Sequence, residues 1–174
     1  KDTDMNTPLI AYFSYQGHTR RVAAKIQSVT DGTLFEIKPA EAYSTDYDTC
    51  EAQAKKETRD GYQPPLAENC QCLATSPVIL LGTPNWFNTI VPPVATFLAS
   101  GNSSGDFSGK TIIPFCTHGG GGLGHVVRDI QKLAPEATVL DCLDVYEGSV
   151  DDAERKIAAW LNKNGLTQEQ THRE

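Results

Sequence analysis

Short apolar runs and longer amphipathic segments alternate along the chain from about residue 9 to residue 161. Apolar runs of about four to eight residues predict β-strands. Five strands are expected, at residues 9–13, 33–37, 78–82, 111–116 and 138–143. The last three are continuously apolar, which is typical of parallel strands covered by helices on both faces.

Segments with apolar residues every three or four positions predict helices between these strands. The first helix, residues 19–29, is expected to bury Val22, Ala23, Ile26 and Val29 and to end at Asp31-Gly32. Three later helices are expected from Pro92-Pro93 to Gly101, over residues 126–133, and from an N-cap at Ser149 to Gly165.

Residues 39–75 interrupt the alternation of strands and helices. They are mostly polar, with a helix predicted over residues 47–59 and a turn at Tyr62-Gln-Pro-Pro. We interpret them as an elaborated connection, not as a second domain. With no linker and no repeat, the sequence predicts one α/β domain over residues 1–174, with its core at about 8–165 and polar tails at both ends. Five parallel strands joined by helices form a doubly wound sheet, which binds ligands at the carboxyl ends of its strands.

Composition narrows the choice of partner. The 174 residues carry a formal net charge of −7 and lack the clustered Lys and Arg that nucleic-acid binding needs. Apolar runs are too short to span a membrane. The acids Asp141, Asp144, Glu147, Asp151 and Asp152 favour instead the docking of a basic protein by electrostatic attraction, unless they form only a solvated face.

The five cysteines give no metal-site pattern. They are Cys50, Cys70, Cys72, Cys116 and Cys142, and Cys70-Gln-Cys72 is one residue shorter than a CxxC motif. We expect no metal site, with Cys116 and Cys142 as core residues. A cytoplasmic location is the expectation, although Met5 is compatible with a native start and with an internal position in an exported chain.

Three loops leave the carboxyl ends of predicted strands, and each carries candidate chemistry. The first, residues 14–19, supplies the Ser14 and Thr19 hydroxyls, the Gly17 backbone and the free amides of a helix N-terminus, a set suited to phosphate. The second, residues 83–89, holds the adjacent aromatics Trp86 and Phe87. The third, residues 117–124, exposes glycine amides that a planar ligand can approach closely.

Each loop also has a simpler interpretation when taken alone. The first turn caps a helix, Trp86 and Phe87 belong to a core or an interface, and the glycine run is a flexible loop in which His118 is an exposed histidine. The coincidence of all three loops at the ends of strands 1, 3 and 4 favours a phosphorylated aromatic cofactor.

The chain resembles flavodoxin-like FMN proteins over about residues 9–161. Ser14-Tyr-Gln-Gly-His-Thr19 resembles the Thr/Ser-x-Thr-Gly-x-Thr phosphate loop of that family, although Gln16 replaces a hydroxyl. The Tyr43-x-x-Asp46-Tyr47 insertion, Gly82-Thr-Pro-Asn-Trp86 and Thr117-His-Gly-Gly resemble one branch of it. No extra loop divides strand 5, which is typical of the short-chain type. The resemblance implies strand order 2-1-3-4-5 with FMN at the switch point, as flavodoxin itself exemplifies.

The resemblance also implies which residues bind FMN. They are Ser14, Tyr15, Gln16, Gly17, His18, Thr19, Thr83, Pro84, Asn85, Trp86, Phe87, Asn88, Thr117, His118, Gly119, Gly120, Gly121 and Gly124. Because the flavin carries the redox chemistry, no catalytic side chain is expected. The third loop lacks the stacking aromatic of many electron carriers, so one flavin face is expected to be open.

Three functions follow from the resemblance. The first is an FMN oxidoreductase that passes electrons from NAD(P)H to a small acceptor such as a quinone. The others are an electron carrier that docks redox proteins and a non-enzymatic regulatory module. The oligomeric state is not predicted.

Other functions of similar folds fit the residues less well. A phosphorelay receiver needs acidic residues where Ser14 and Gly82-Thr83 stand. A low-molecular-weight phosphatase needs a cysteine nucleophile at Ser14, six residues before Arg20. A dinucleotide site needs Gly-x-Gly-x-x-Gly after strand 1.

Overall fold

The computed structural model describes residues 7–167, so the predicted polar tails fall largely outside the described residues. Its elements are β1 (Leu9–Tyr12), α1 (His18–Thr30), β2 (Thr33–Glu36), α2 (Tyr47–Asp60), β3 (Val78–Pro84), α3 (Pro92–Ser104), β4 (Thr111–His118), α4 (Val126–Leu133), β5 (Thr138–Val139), β6 (Leu143–Tyr146) and α5 (Glu154–Lys163). In this part of the chain, no helix combines the length and the apolar character needed to cross a membrane.

The strands form one parallel sheet in the order β2-β1-β3-β4-β5, and β6 also pairs with β4. This confirms the predicted order 2-1-3-4-5. The order reverses at β1, from which β2 lies on one side and β3 on the other. The loops after β1, β3 and β4 therefore leave the same edge of the sheet, on neighbouring strands.

Helices cover both faces of the sheet, and β1 shows why. Its alternate side chains enter two separate apolar clusters: Leu9 and Ala11 pack with α2, α3 and α4, whereas Ile10 and Tyr12 pack with α1 and α5. All four are at most 5% exposed. The continuously apolar sequence of the central strands results from this burial on both faces.

The fifth strand differs from the prediction, because a break at residues 140–142 divides it into β5 and β6. Ile112 pairs with Val139 and Phe115 with Leu143, so this strand has one more residue than β4 over the same span. Such an extra residue interrupts the ladder as a bulge does. After it, β6 continues to Tyr146, three residues beyond the predicted end.

Two helix predictions are wrong in their boundaries. The third helix does not end at Gly101 but continues to Ser104. Because glycine has no Cβ atom, the Phe107 ring packs directly against the helix backbone at Gly101, and this packing favours glycine inside the helix. Ser149 is not an N-cap: it lies in a 3-10 turn, Glu147–Asp152, that brings Val150 into the core before α5 begins.

The prediction that α1 buries Val29 is also wrong. Val29 is 42% exposed, and Thr30 is buried in its place. The buried residues are Thr19, Val22, Ala23, Ile26 and Thr30. At about 100° per residue the centre of this face lies between Ile26 and Thr30, so Val29 lies at its margin. The Thr30 hydroxyl donates to the Ile26 carbonyl and accepts from the Gly32 amide, which satisfies it inside the fold.

The loops after β3 and β4 are held together by backbone and side-chain hydrogen bonds. The Asn85 amide donates to the Thr117 carbonyl at 2.8 Å, and Asn85 Nδ2 donates to the Gly122 carbonyl at 2.7 Å. A Cβ atom at Gly124, where φ is +50°, would lie 2.6 Å from the Asn88 carbonyl oxygen. Glycine is therefore required at this close approach.

We expect Gly124→Ala to destabilise the protein more than Gly122→Ala. Both positions have a left-handed φ, which costs alanine about 1 kcal/mol, but Gly122 has no heavy atom within 4 Å of an added Cβ. Displacing the Asn88 backbone should add about 1–3 kcal/mol to the loss at Gly124. Urea unfolding of both variants measures the difference, and equal losses would show that the loops are not in firm contact.

Candidate functional site

A cavity of about 300 Å³ lies at the carboxyl edge of the sheet, where the loops after β1, β3 and β4 meet. This volume is at the lower end for small-molecule sites, about 300–1,000 Å³. The cavity is lined by Tyr15, Gln16, His18, Tyr47, Cys50, Glu51, Ala54, Pro84, Asn85, Trp86, Phe87, Thr117, Gly119 and Glu147.

The β1–α1 turn presents hydrogen-bond donors at one end of the cavity. Gly17 adopts φ +98° immediately before α1, and the first intrahelical bond runs from the Arg21 amide to its carbonyl. The His18 and Thr19 amides therefore have no acceptor within the helix. Ser14 Oγ accepts from the Gly17 and Arg20 amides, both at 3.2 Å, which leaves its own proton to donate. This turn has the donors that a phosphate requires.

Thr19 is used differently from the prediction that its hydroxyl faces the phosphate. Its Oγ1 atom lies 2.8 Å from Thr117 Oγ1, and both residues are buried. Only one of the two hydroxyl protons is used in this bond, so the pair retains one further donor. The bond joins the start of α1 to the end of β4 beneath the cavity.

Two polar atoms beside the cavity are buried without a hydrogen-bond partner in the protein. They are Nδ1 of His18 and Oδ1 of Asn85. Leaving such an atom unsatisfied costs about 1–3 kcal/mol. Both residues line the cavity, one on the α1 side and the other on the β3 side. They are suited to a ligand with polar groups at two separated points.

Trp86 lines the cavity from within a cluster of aromatic rings. It meets Phe13, Tyr15 and Tyr43 edge to face, with ring centroids 5.5–5.7 Å apart. Tyr15 and Tyr43 are themselves fixed, since their hydroxyls donate to the Ser44 carbonyl at 2.5 Å and to a Glu57 carboxylate oxygen at 2.7 Å. Trp86 is therefore both a packed side chain and a rigid wall of the cavity.

The next two residues, Phe87 and Asn88, form a tight turn closed by reciprocal hydrogen bonds between Trp86 and Thr89, each 3.2 Å. Their φ angles are +57° and +66°. Positive φ is common for Asn but a real outlier for a residue as bulky as Phe. The turn holds Phe87 at the cavity with 41% of its surface exposed. Strain of this kind often marks a binding site.

His118 is directed away from the cavity. It is 9% exposed, its Nε2 atom contacts Asp144, and its Nδ1 atom accepts from the Gly120 amide at 3.0 Å. Because Nδ1 is an acceptor, the proton lies on Nε2 and is donated to Asp144. The ring therefore fixes the start of the glycine loop and is not the exposed histidine of the simpler interpretation.

The structure brings about half of the predicted residues to the cavity surface: Tyr15, Gln16, His18, Pro84, Asn85, Trp86, Phe87, Thr117 and Gly119. The others surround it, except His118, whose side chain is directed toward Asp144. Ser14, Gly17 and Thr19 form the β1–α1 turn, and Thr83 is buried beneath the cavity, where its hydroxyl donates to the Pro84 carbonyl. Asn88, Gly120, Gly121 and Gly124 lie in the adjoining loops.

Sequence reasoning missed the wall formed by α2. Tyr47, Cys50, Glu51 and Ala54 all line the cavity. They are spaced i, i+3, i+4 and i+7, which places them on one face of a helix. The spacing was present in the sequence, within the segment interpreted as a connection. Glu147 was also missed, because the predicted fifth strand ended before the residues that carry it to this edge.

The acids expected to form a docking face are largely paired within the protein. Asp141 lies 3.4 Å from Lys163, Glu147 lies 3.9 Å from His18, Asp144 contacts His118, and Asp151 contacts Arg21. Four of the five acids thus have a base beside them, and Asp152 has no ion pair among the described residues, while the protein keeps its net charge of −7. The carboxylates of Glu51 and Glu147 are the acidic groups at the cavity, whose lining contains neither Lys nor Arg.

Comparison with known proteins supports the resemblance found in the sequence. A candidate flavoprotein from Bacteroides eggerthii is 27% identical, with a TM-score of 0.78 over 92% of this chain and 99% of its own. A candidate flavoprotein from Bacteroides uniformis is 30% identical, with a TM-score of 0.73 over 87% and 97%. A Lactobacillus acidophilus flavoprotein in complex with FMN is 24% identical, with a TM-score of 0.67 over 84% and 97%.

A comparison with curated proteins gave no significant match. The family model for flavodoxins matches residues 7–164, which include every element of the sheet and its helices. The protein therefore belongs to the flavodoxin family.

Proposed function

We propose that the protein binds FMN in this cavity and transfers electrons through it to small planar acceptors such as quinones, with NAD(P)H as the source. One observation supports the proposal most directly. The same cavity contains a helix N-terminus with free donors, an aromatic wall, and two residues, His18 and Asn85, that each have a buried polar atom without a partner. Family membership supports the choice of cofactor.

We assign the β1–α1 turn to the phosphate. The Ser14 hydroxyl and the His18 and Thr19 amides are the donors, and the positive end of the α1 dipole favours an anion. Gln16 adds a side-chain amide where the family pattern has a hydroxyl. His18 Nδ1 lies next to these donors without a partner, and we assign it to the same end of the ligand.

We assign the other side of the cavity to the ring system. Trp86 provides a rigid aromatic wall, and the Thr83–Asn88 backbone, the Asn85 side chain and the glycine loop supply polar groups for the ring edge. When bound, FMN supplies the redox chemistry, which accepts and donates one or two electrons. The surrounding residues bind, orient and shield it, and none needs to act as a catalytic acid or base.

The electrostatics of the site favour a small neutral acceptor. Tyr47 and Phe87 line the cavity and are 59% and 41% exposed, so they offer ring surface to a planar molecule. Glu51, one helical turn from Tyr47 on α2, disfavours an anion beside these rings. The alternative function is that of an electron carrier that docks a basic redox protein. The net charge of −7 favours this alternative, whereas the pairing of the acids with bases of the same chain argues against it.

If the phosphate assignment is right, the apoprotein should bind FMN at least about 100-fold more tightly than riboflavin. Two or more charge-assisted hydrogen bonds are lost, each worth about 1.5–3 kcal/mol. Ser14→Ala should reduce this preference by about tenfold, and Ser28→Ala, a matched change on the exposed part of α1, should not. Fluorescence titration measures both affinities, and equal binding of the two ligands would refute the assignment.

Replacing Phe87 with Asn should make the apoprotein more stable and its binding of FMN weaker. Asn tolerates the positive φ of this turn, so Phe87→Asn should raise the free energy of unfolding of the apoprotein by up to about 1 kcal/mol. The same change removes ring surface from the cavity and should weaken FMN binding. Urea unfolding and FMN titration test the two effects separately. A less stable variant would show that Phe87 packs favourably and is not strained.

The reduced, FMN-loaded protein should be reoxidised faster by a neutral benzoquinone than by a sulfonated one. Each carboxylate near the acceptor contributes about 1 kcal/mol of repulsion, or about fivefold in rate. Glu51→Gln should reduce the ratio of the two reoxidation rates, neutral over sulfonated. Glu68→Gln, a change at an exposed residue outside the cavity, should leave this ratio unchanged. Stopped-flow absorbance measures the rates. Slow, unsaturable reoxidation by both quinones would favour the carrier.

A further inference from the structure

Two cysteines lie in contact outside the cavity. The sulfur atoms of Cys70 and Cys72 are 3.6 Å apart, in the loop that leads from α2 to β3. Both side chains are partly buried against the apolar cluster beneath α2, α3 and α4. The spacing is one residue shorter than that of a CxxC motif, yet the turn at residues 71–75 brings the two thiols together.

The loop is anchored on both sides of the pair. On one side, the Ala67 amide donates to the Lys38 carbonyl at 2.8 Å. On the other, Lys110 Nζ donates to the Leu73 and Ala74 carbonyls at 2.7 and 2.8 Å. The Ser76 hydroxyl also donates to the Cys72 carbonyl at 2.7 Å. These hydrogen bonds fix the backbone on both sides of the pair, so the fold holds the two sulfur atoms near each other.

We propose that Cys70 and Cys72 form a reversible intramolecular disulfide by exchange with low-molecular-weight disulfides. One deprotonated cysteine attacks a sulfur of the small disulfide, which forms a mixed disulfide and releases one thiolate. The other cysteine, also deprotonated, attacks the protein sulfur of the mixed disulfide and releases the second thiolate. Overall, two protein thiols are oxidised, one small disulfide is reduced to two thiols, and the two protons pass to those thiols.

The disulfide should be labile and not structural. A bridge between residues two positions apart closes a very small loop, so it constrains the unfolded chain little. Closure also requires the sulfur atoms to move from 3.6 Å to bonding distance, about 2.05 Å, inside an anchored turn. Strained bridges of this kind are more easily reduced and serve regulation or exchange more often than stability.

The pair is separate from the cavity. It precedes Val78, the first residue of β3, whereas the cavity lies beyond Pro84 at the other end of that strand. Seven residues of strand span about 20 Å. Burial raises the pKa of the Cys70 thiol to about 11, so exchange should accelerate with rising pH as more thiolate forms. This behaviour is independent of any flavin.

The other cysteines provide controls. The thiols of Cys116 and Cys142 each donate to the carbonyl of the following residue, at 3.6 and 3.3 Å. Cys50 is buried on α2 beside the cavity. Among the described residues, Cys70 and Cys72 are the two whose sulfur atoms contact each other.

The test is to incubate the folded full-length protein with glutathione disulfide over a range of redox ratios, block free thiols with N-ethylmaleimide, and map the peptides by mass spectrometry. We expect Cys70 and Cys72 to lose both labels together, to become linked to each other, and to regain the labels after dithiothreitol. The rate should rise by about tenfold per pH unit below the thiol pKa.

Single variants distinguish the bridge from ordinary oxidation. Cys70→Ser and Cys72→Ser should each leave the remaining cysteine in a stable mixed disulfide with glutathione, whereas Cys142→Ser should form the bridge like the unchanged protein. A second probe is phenylarsine oxide, which should crosslink the reduced pair in the unchanged protein and in neither single variant. Retention of both labels at every redox ratio, or linkage to a different cysteine, would overturn the proposal.

Discussion

Burial of the central strands on both faces is the constraint on which the rest of the structure depends. Because β1, β3 and β4 must each send alternate side chains into two apolar clusters, they lie side by side and point the same way. Their following loops then meet at one edge, where no sheet hydrogen bonds remain to satisfy them. The cavity, its free amides and its unpartnered polar atoms are the local result of that arrangement.

Sequence alone predicted what periodicity and turn chemistry encode. The two helix layers and the three loops were predictable because continuously apolar runs alternating with amphipathic segments have few other interpretations, whereas the strand order was implied by the family resemblance. The α2 wall was predictable from its helical spacing but was missed, since the segment is mostly polar and its buried face is narrow. Helix ends were less predictable, because Gly101 and Ser149 follow tertiary packing and not local preference.

Other features depend on contacts between distant residues and could not be predicted. His118 faces Asp144 and Gly120 because of where β6 lies beside β4, and β6 in turn depends on the extra residue after Val139. The same holds for the Thr19–Thr117 bond and for the pairing of surface acids with nearby bases. Composition suggested a free acidic face, but charges that are distant in sequence can be neighbours in the fold.

The irregular fifth strand has a consequence for how this molecule behaves among its own copies. An edge strand offers unpaired amides and carbonyls in a regular row, which a second chain can extend into a larger sheet. Here an extra residue divides the outer strand into pieces of two and four residues. The row of free amides and carbonyls is therefore short, and its two parts differ in register by one residue. The break that extends the strand to the cavity edge thus also protects this edge of the sheet from pairing with a second chain.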